Sequence, residues 1–108
     1  MYEKETEQLQ KIIDDSSRIV FFGGAGVSTE SGIPDFRSAD GIYHQKYKYS
    51  PEQVVSHTFF MRYPEAFYEF YKDKMMCLDA KPNAAHLKLA ELEQAGKLTA
   101  VVTQNIDG

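Results

Sequence analysis

The sequence contains no tryptophan, a single cysteine (Cys77) and fewer basic than acidic residues. One cysteine excludes an intrachain disulfide and a zinc site built on paired cysteines within these 108 residues. The net charge of −4 argues against nucleic acid as a direct partner, because phosphate backbones are bound by basic surfaces. The N-terminus is too polar for a signal peptide, and no apolar run approaches membrane-spanning length. We therefore expect a cytoplasmic protein without a membrane segment.

Hydrophobic residues make up 43% of the chain, which is enough for one packed domain. A short amphipathic helix is predicted over residues 4–16, and apolar strands over 18–22 and 98–102. Between the strands, helix starts are predicted at Ser50-Pro51-Glu52, at Pro64 and at Lys81-Pro82-Asn83, with the second helix running to about Met76. The order strand, helices, strand predicts an α/β fold in which the two strands are parallel and joined by a long crossover.

Two strands are few for a parallel sheet, which is normally covered on both faces. We therefore expect the chain to be the N-terminal piece of a larger domain, whose uncovered sheet edge would favour self-association. The alternative is a small α+β domain that is complete in itself.

A glycine-rich run follows the first predicted strand directly. Four of the seven glycines lie between residues 23 and 32, where the absence of side chains lets a bound group approach the backbone. A helix beginning near Ser28 would direct its free N–H groups at an anion. The run therefore predicts a ligand that carries phosphate.

Several familiar motifs fail to match this run. The dinucleotide fingerprint has Thr29 in place of its third glycine and lacks the acidic residue that follows it, so a dehydrogenase is disfavoured. The P-loop lysine is absent, and the nucleophile elbow fails at Glu30. Ser28 is therefore interpreted as a helix cap rather than a nucleophile. The three histidines have no ligand spacing, so no metal site is predicted.

Polar residues follow the ends of both predicted strands, which is where open parallel sheets bind their ligands. Arg37, near the first strand, suits a phosphate because its guanidinium can bind two oxygens at once. Asp35, Gln104, Asn105 and Asp107 suit ribose hydroxyls and a carboxamide. The alternatives are an ion pair between Asp35 and Arg37, and turn chemistry for the two amides.

Three blocks of the sequence resemble the signature motifs of the sirtuins, the NAD-dependent protein lysine deacylases: residues 24–28, 32–38 and 103–108. The resemblance is to the bacterial type of the family. The resemblance implies a partial Rossmann-like parallel sheet with crossover helices, an incomplete NAD-binding domain over residues 1–108. Residues 33–80 would form its cofactor loop and helical insertion. The catalytic histidine, the zinc module and the C-terminal half would lie beyond Gly108, so no catalytic or metal-binding residue is expected in this chain.

The resemblance also implies roles for individual residues. The first block would cradle the NAD pyrophosphate, Phe36 would shield the reactive ribose carbon, and the third block would face the nicotinamide end. The expected cofactor-binding residues are Gly24, Ala25, Gly26, Thr29, Asp35, Phe36, Arg37, Gln104, Asn105, Ile106 and Asp107.

The implied activity is removal of an acyl group from a protein lysine, with NAD consumed as co-substrate and nicotinamide released. Sirtuins that prefer acidic acyl groups carry a Tyr-x-x-Arg pair, whereas this chain has Tyr71 and Lys74, so acetyl-lysine is the expected substrate. The chain alone is expected to be inactive. The alternative is a nucleotide-binding or interaction module that performs no chemistry.

Overall fold

The computed structural model describes residues 1–36 and 49–108. The elements within these ranges are, in chain order, α1 (Glu3–Asp15), β1 (Ile19–Gly23), a 3-10 helix (Ala25–Ser31), α2 (Pro51–Val54), α3 (His57–Arg62), α4 (Pro64–Phe70), a π-helical turn (Tyr71–Met75), α5 (Ala84–Gln94) and β2 (Leu98–Thr103). They belong to two compact units. The first comprises Met1–Gly24 and Pro82–Gln104, and the second comprises Ala25–Lys81 and Asn105–Gly108.

The first unit is built on the two strands, which pair in parallel as the sequence predicts. Ile19 is the partner of Leu98 and Gly23 is the partner of Thr103, with one irregularity in register after Ile19. Each strand ends one residue later than predicted, at Gly23 and Thr103. The predicted α/β arrangement, a parallel pair joined by a helical crossover, is confirmed.

Most apolar side chains of this small sheet are exposed. Leu98 is buried, but Phe22 is 80% exposed and Val101 is 49% exposed. Parallel sheets normally bury both faces because crossover helices cover them. Within the described residues, these two strands are a sheet with apolar surface still open to solvent.

Helix α5 of the first unit has well-defined ends. The Asn83 side chain accepts hydrogen bonds from the Ala85 and His86 N–H groups, and the His86 ring accepts one from the Asn83 N–H, so α5 begins with a capping box. At its other end Gly96 has φ +77°, a conformation that suits glycine just beyond a helix. The predicted start near Asn83 is therefore confirmed.

The second unit has an aromatic core. Val54, Phe59 and Phe70 are buried together, and Phe36 and Tyr49 pack against them. The partly buried residues Val55, Ala66, Phe67 and Met75 complete this cluster. Phe60 meets the Phe67 ring edge to face at 4.9 Å.

The helices of the second unit begin where predicted but divide more finely. Pro51 and Pro64 each open a helix. A new cap then separates α2 from α3, because the Ser56 hydroxyl accepts a hydrogen bond from the Phe59 N–H at 3.1 Å. The predicted single helix from Pro64 to about Met76 is wrong in its last part, where the α-helix ends at Phe70 and a π-helical turn continues to Met75. Across residues 1–36 and 49–108, no helix combines the length and hydropathy that crossing a bilayer requires.

Candidate functional site

The site begins where the two strands of the first unit end. Gly23 and Thr103 are paired across the sheet, so Gly24 and Gln104 follow neighbouring strand ends at the same sheet edge. Ligands of open parallel sheets bind outside such carboxyl ends. An antiparallel pair would have separated the two motifs, and the observed register therefore meets a condition that the cofactor hypothesis requires.

In the second unit the glycine-rich run forms a 3-10 helix over Ala25–Ser31. The prediction that a helix begins near Ser28 is wrong, because this tighter helix already begins at Ala25. Within it, the Thr29 hydroxyl donates to the Gly26 carbonyl at 2.9 Å. The seven-residue segment offers a weaker helix-end field than a long α-helix, so any anion here depends on individual backbone N–H groups.

Ser28 occupies the interior of the second unit and is only 2% exposed. Its hydroxyl donates a hydrogen bond to an Asp107 carboxylate oxygen, 79 positions away in sequence. The interpretation of Ser28 as a helix cap is wrong, because Ser28 lies within the 3-10 helix Ala25–Ser31 and not before its first turn. The hydrogen bond to Asp107 joins the first and third sequence blocks.

The glycines of the first block leave room for a ligand. A Cβ built on Gly24 or Gly26 would meet no atom of the described chain within 4 Å. Neither residue has a positive φ. Packing and backbone strain therefore do not demand glycine at these positions, whereas a bound group approaching the backbone would. The local geometry fits the proposed place of a pyrophosphate.

The remaining predicted residues have varied environments. Asp35 and Asn105 are half-buried, and Gln104 and Ile106 are exposed. Phe36 packs against the buried cluster of the second unit. Arg37 lies outside the described residues, so its predicted role in phosphate binding stays a prediction. The described residues contain no group of three or more histidine, cysteine or acidic side chains arranged to hold a metal ion.

Sequence reasoning did not predict the hydrogen bond between Ser28 and Asp107. The serine lies within the glycine-rich block, but its cap preference was the stronger local signal. A hydrogen bond to Asp107 depends on how distant segments fold together, and no local pattern contains that information. The available clue was that both residues belong to blocks of one family signature.

Comparison with known proteins supports the resemblance to the sirtuins that the three sequence blocks indicate. The sequence model described as the Sir2 family matches residues 24–108. An NAD-dependent protein deacetylase of Clostridium perfringens is 62% identical over 103 residues, which are 94% of this chain and 42% of that protein. Another from Sulfolobus acidocaldarius is 47% identical over 106 residues, 97% of this chain and 40% of that protein. The chain thus spans about two fifths of the length of these relatives.

Solved structures agree with the sequence matches. A structure described in connection with the mechanism and regulation of Sir2 enzymes has a TM-score of 0.83 and 46% identity, covering 99% of this chain and 41% of that one. A Sir2 homologue in complex with NAD has a TM-score of 0.75 and 42% identity, covering 94% of this chain and 39% of that one. The family model, the relatives and the structures agree with the sequence blocks, and the chain belongs to the Sir2 family.

Proposed function

We propose that this chain carries NAD-binding elements of an NAD-dependent protein deacetylase. The observation that carries the proposal is the hydrogen bond from Ser28 to Asp107, since it joins two blocks that are expected to contact one cofactor. The open space at Gly24 and Gly26 and the aligned strand ends support it. A Sir2 homologue with the same fold forms a complex with NAD.

Different residues of the chain are proposed to contact different parts of the cofactor. Backbone N–H groups of the first block, with Gly26 and Thr29, would bind the pyrophosphate. Gln104 and Asn105 would face the nicotinamide ribose, and Ile106 and Asp107 would bind the carboxamide. When bound, NAD would supply the ribose carbon that accepts the acyl group of a lysine, with nicotinamide as the leaving group. The chain's own contribution is to hold the cofactor and exclude water from the reacting sugar.

The proposed partner is a peptide or protein that carries acyl-lysine. A Sir2 variant of similar fold, with a TM-score of 0.81 and 45% identity, is bound to a deacetylated p53 peptide and 3′-O-acetyl ADP-ribose. Turnover would require a general base, and the resemblance places that histidine beyond Gly108. Zinc would likewise belong to the longer protein. We expect the 108-residue chain to bind NAD without deacetylating a peptide.

Acetyl preference is a finer part of the proposal. Tyr71 and Lys74 lie in the π-helical turn, and the Lys74 ammonium is 3.7 Å from the Asp73 carboxylate. A lysine already facing an acidic side chain is a poor substitute for the bidentate arginine of desuccinylating relatives. Matched acetyl- and succinyl-lysine peptides given to the full-length enzyme would test this, and faster desuccinylation would contradict it. Cytoplasmic location and self-association through the sheet edge stay predictions.

Calorimetric titration of NAD into the chain tests the main proposal. The informative variant is Gly26→Val, because the added side chain enters open space and should leave the fold intact while obstructing the pyrophosphate. We expect NAD affinity to fall by at least about tenfold, equivalent to 1.4 kcal/mol. Ala84→Val, at the exposed start of α5, is the control for added bulk and should bind NAD as the wild type does. Absence of NAD binding by the wild type, or equal affinity in the Gly26 variant, would contradict the proposal.

A further inference from the structure

The first turn of α5 is held by a histidine ring. The Asn83 N–H donates to Nδ1 of His86 at 3.1 Å, and the Asn83 side-chain oxygen accepts from the Ala85 and His86 N–H groups at 2.9 and 3.4 Å. A capping box usually has glutamate or glutamine at the position of His86. Histidine is the side chain that ordinarily changes its charge between about pH 5 and 8, so protons can compete for this contact.

The hydrogen bond from Asn83 fixes the protonation state of the His86 ring. A backbone N–H only donates, so Nδ1 must carry a lone pair and the ring proton must lie on Nε2. In the imidazolium both ring nitrogens are donors, so a proton on Nδ1 would remove the acceptor and oppose two N–H groups. The positive end of α5 also disfavours a cation in its first turn. Protonation of the ring and a closed capping box therefore exclude each other.

The charges around His86 do not replace the lost contact. Among residues 1–36 and 49–108, no carboxylate forms an ion pair with its ring. Helix α5 packs chiefly against β2, whose residues Leu98–Thr103 include no ionisable side chain. On α5 itself, the Lys88 ammonium pairs with the Glu91 carboxylate at 3.0 Å. The other charged side chains of α5 and of the residue before Pro82 are exposed: Glu93 and Lys81. The His86 ring is half-buried, so protons from solvent can reach it.

We propose that the capping box of Asn83 and His86 is a pH-sensitive switch, which holds the first turn of α5 while the ring is neutral and releases it when the ring is protonated. The unfolded chain lacks this contact. The stability that the box contributes is therefore present above the pH range in which histidine titrates and is lost as the pH falls through that range. The switch lies in the first unit, at the start of the helix that leads into β2, and it is independent of the proposed NAD site.

An NMR titration of the wild-type chain from about pH 8 to about pH 5 tests the switch directly. The ¹⁵N shifts of the His86 ring should show the Nε2–H tautomer at the upper end and the imidazolium at the lower end. The Asn83 amide signal should move with the same midpoint, and its protection from hydrogen exchange, corrected for the intrinsic rate, should fall about fivefold. An Asn83 amide that does not follow the ring, or a neutral ring with its proton on Nδ1, would overturn the proposal.

His86→Gln separates protonation of this ring from the general effect of acid. The glutamine oxygen can accept the same hydrogen bond and does not titrate, so the protection of the Asn83 amide should change by less than about twofold over the same range. His57→Gln, at an exposed position in α3, is the matched control and should keep the wild-type pH dependence at Asn83. Equal losses of Asn83 protection in the wild type and in His86→Gln would show that acid acts elsewhere, and the switch would be refuted.

Discussion

At the scale of single residues, Lys97 connects parts of the first unit that are far apart in sequence. Its ammonium donates to the carbonyls of Ile13, Asp14 and Ser16 at 3.1, 2.9 and 3.2 Å. These carbonyls lie at the C-terminal end of α1, which has no basic residue in its last turn. Lys97 therefore supplies, from the start of β2, the positive charge that a helix C-terminus favours.

We predict that Lys97→Met destabilises the first unit by about 1–3 kcal/mol, because charged hydrogen bonds to carbonyls at the C-terminal end of α1 are lost. Urea denaturation followed through ¹H–¹⁵N signals of first-unit residues would measure this. Lys88→Met is the matched control. It removes an exposed ion pair with Glu91 and should cost less than about 0.5 kcal/mol. Equal effects of the two substitutions would show that the carbonyl contacts of Lys97 contribute nothing.

Local sequence signals succeeded where a residue acts on its own neighbours. Asn83, Pro51 and Gly96 mark helix ends in both the sequence and the structure. The same reasoning failed for Ser28, because the 3-10 helix begins three residues earlier, at Ala25, and contains Ser28. The cap preference of serine reflects only hydrogen bonds to the neighbouring backbone. It therefore cannot predict a buried contact with a residue 79 positions away.

At the scale of elements, α5 depends on the capping box at its N-terminus. We predict that Asn83→Ala lowers the free energy of unfolding of the first unit by about 1 kcal/mol, because two helix N–H groups lose their acceptor. Asn83→Ser keeps a good cap and should be close to wild type. Hydrogen exchange of the Ala85 and His86 amides would locate the effect. Unchanged exchange in Asn83→Ala would contradict the assignment.

The helices of the second unit depend on a small aromatic core. Phe70 is fully buried beside Val54 and Phe59. We predict that Phe70→Ala costs about 3–5 kcal/mol, enough to disorder α2 to α4, since a buried ring is replaced by a cavity. Near-ultraviolet circular dichroism of the tyrosines and phenylalanines would report the loss. Leu78→Ala, at an 85% exposed position, is the control and should retain the wild-type signal. A folded Phe70 variant of wild-type stability would contradict this account of the core.

The starts of the helices could be predicted better than their interruptions. Proline at Pro51 and Pro64 gave clear starts. Helix periodicity does not specify the break at Ser56 or the π-helical turn after Phe70. The 3-10 helix was missed for a related reason, because a glycine-rich run permits several tight conformations.

At the scale of the whole molecule, strand order was predictable and sheet coverage was not. Alternating strands and helices predict a parallel pair, because parallel strands require a crossover. The sequence also placed both ligand motifs at strand ends, and the pairing of Gly23 with Thr103 confirms that placement. The apolar side chains of Phe22 and Val101 are exposed, because burial of a strand face depends on packing partners that an apolar strand pattern does not specify.

Ligand binding should appear as increased stability of the whole chain. A ligand that binds only the folded state raises the free energy of unfolding by about 2.7 kcal/mol at one hundred times its dissociation constant. We therefore predict that saturating NAD raises the thermal midpoint of the wild type by several degrees, and that the rise grows with NAD concentration. Differential scanning calorimetry over a series of NAD concentrations would measure it.

Gly26→Val provides the control for this prediction, because its fold should be intact while its proposed pyrophosphate contact is obstructed. Its midpoint without ligand should lie close to that of the wild type, and NAD should raise it little. An equal rise in both proteins would place NAD binding away from the glycine-rich block. A large drop in the variant's ligand-free midpoint would show that Gly26 serves the fold, and the argument from open space at this glycine would then fail.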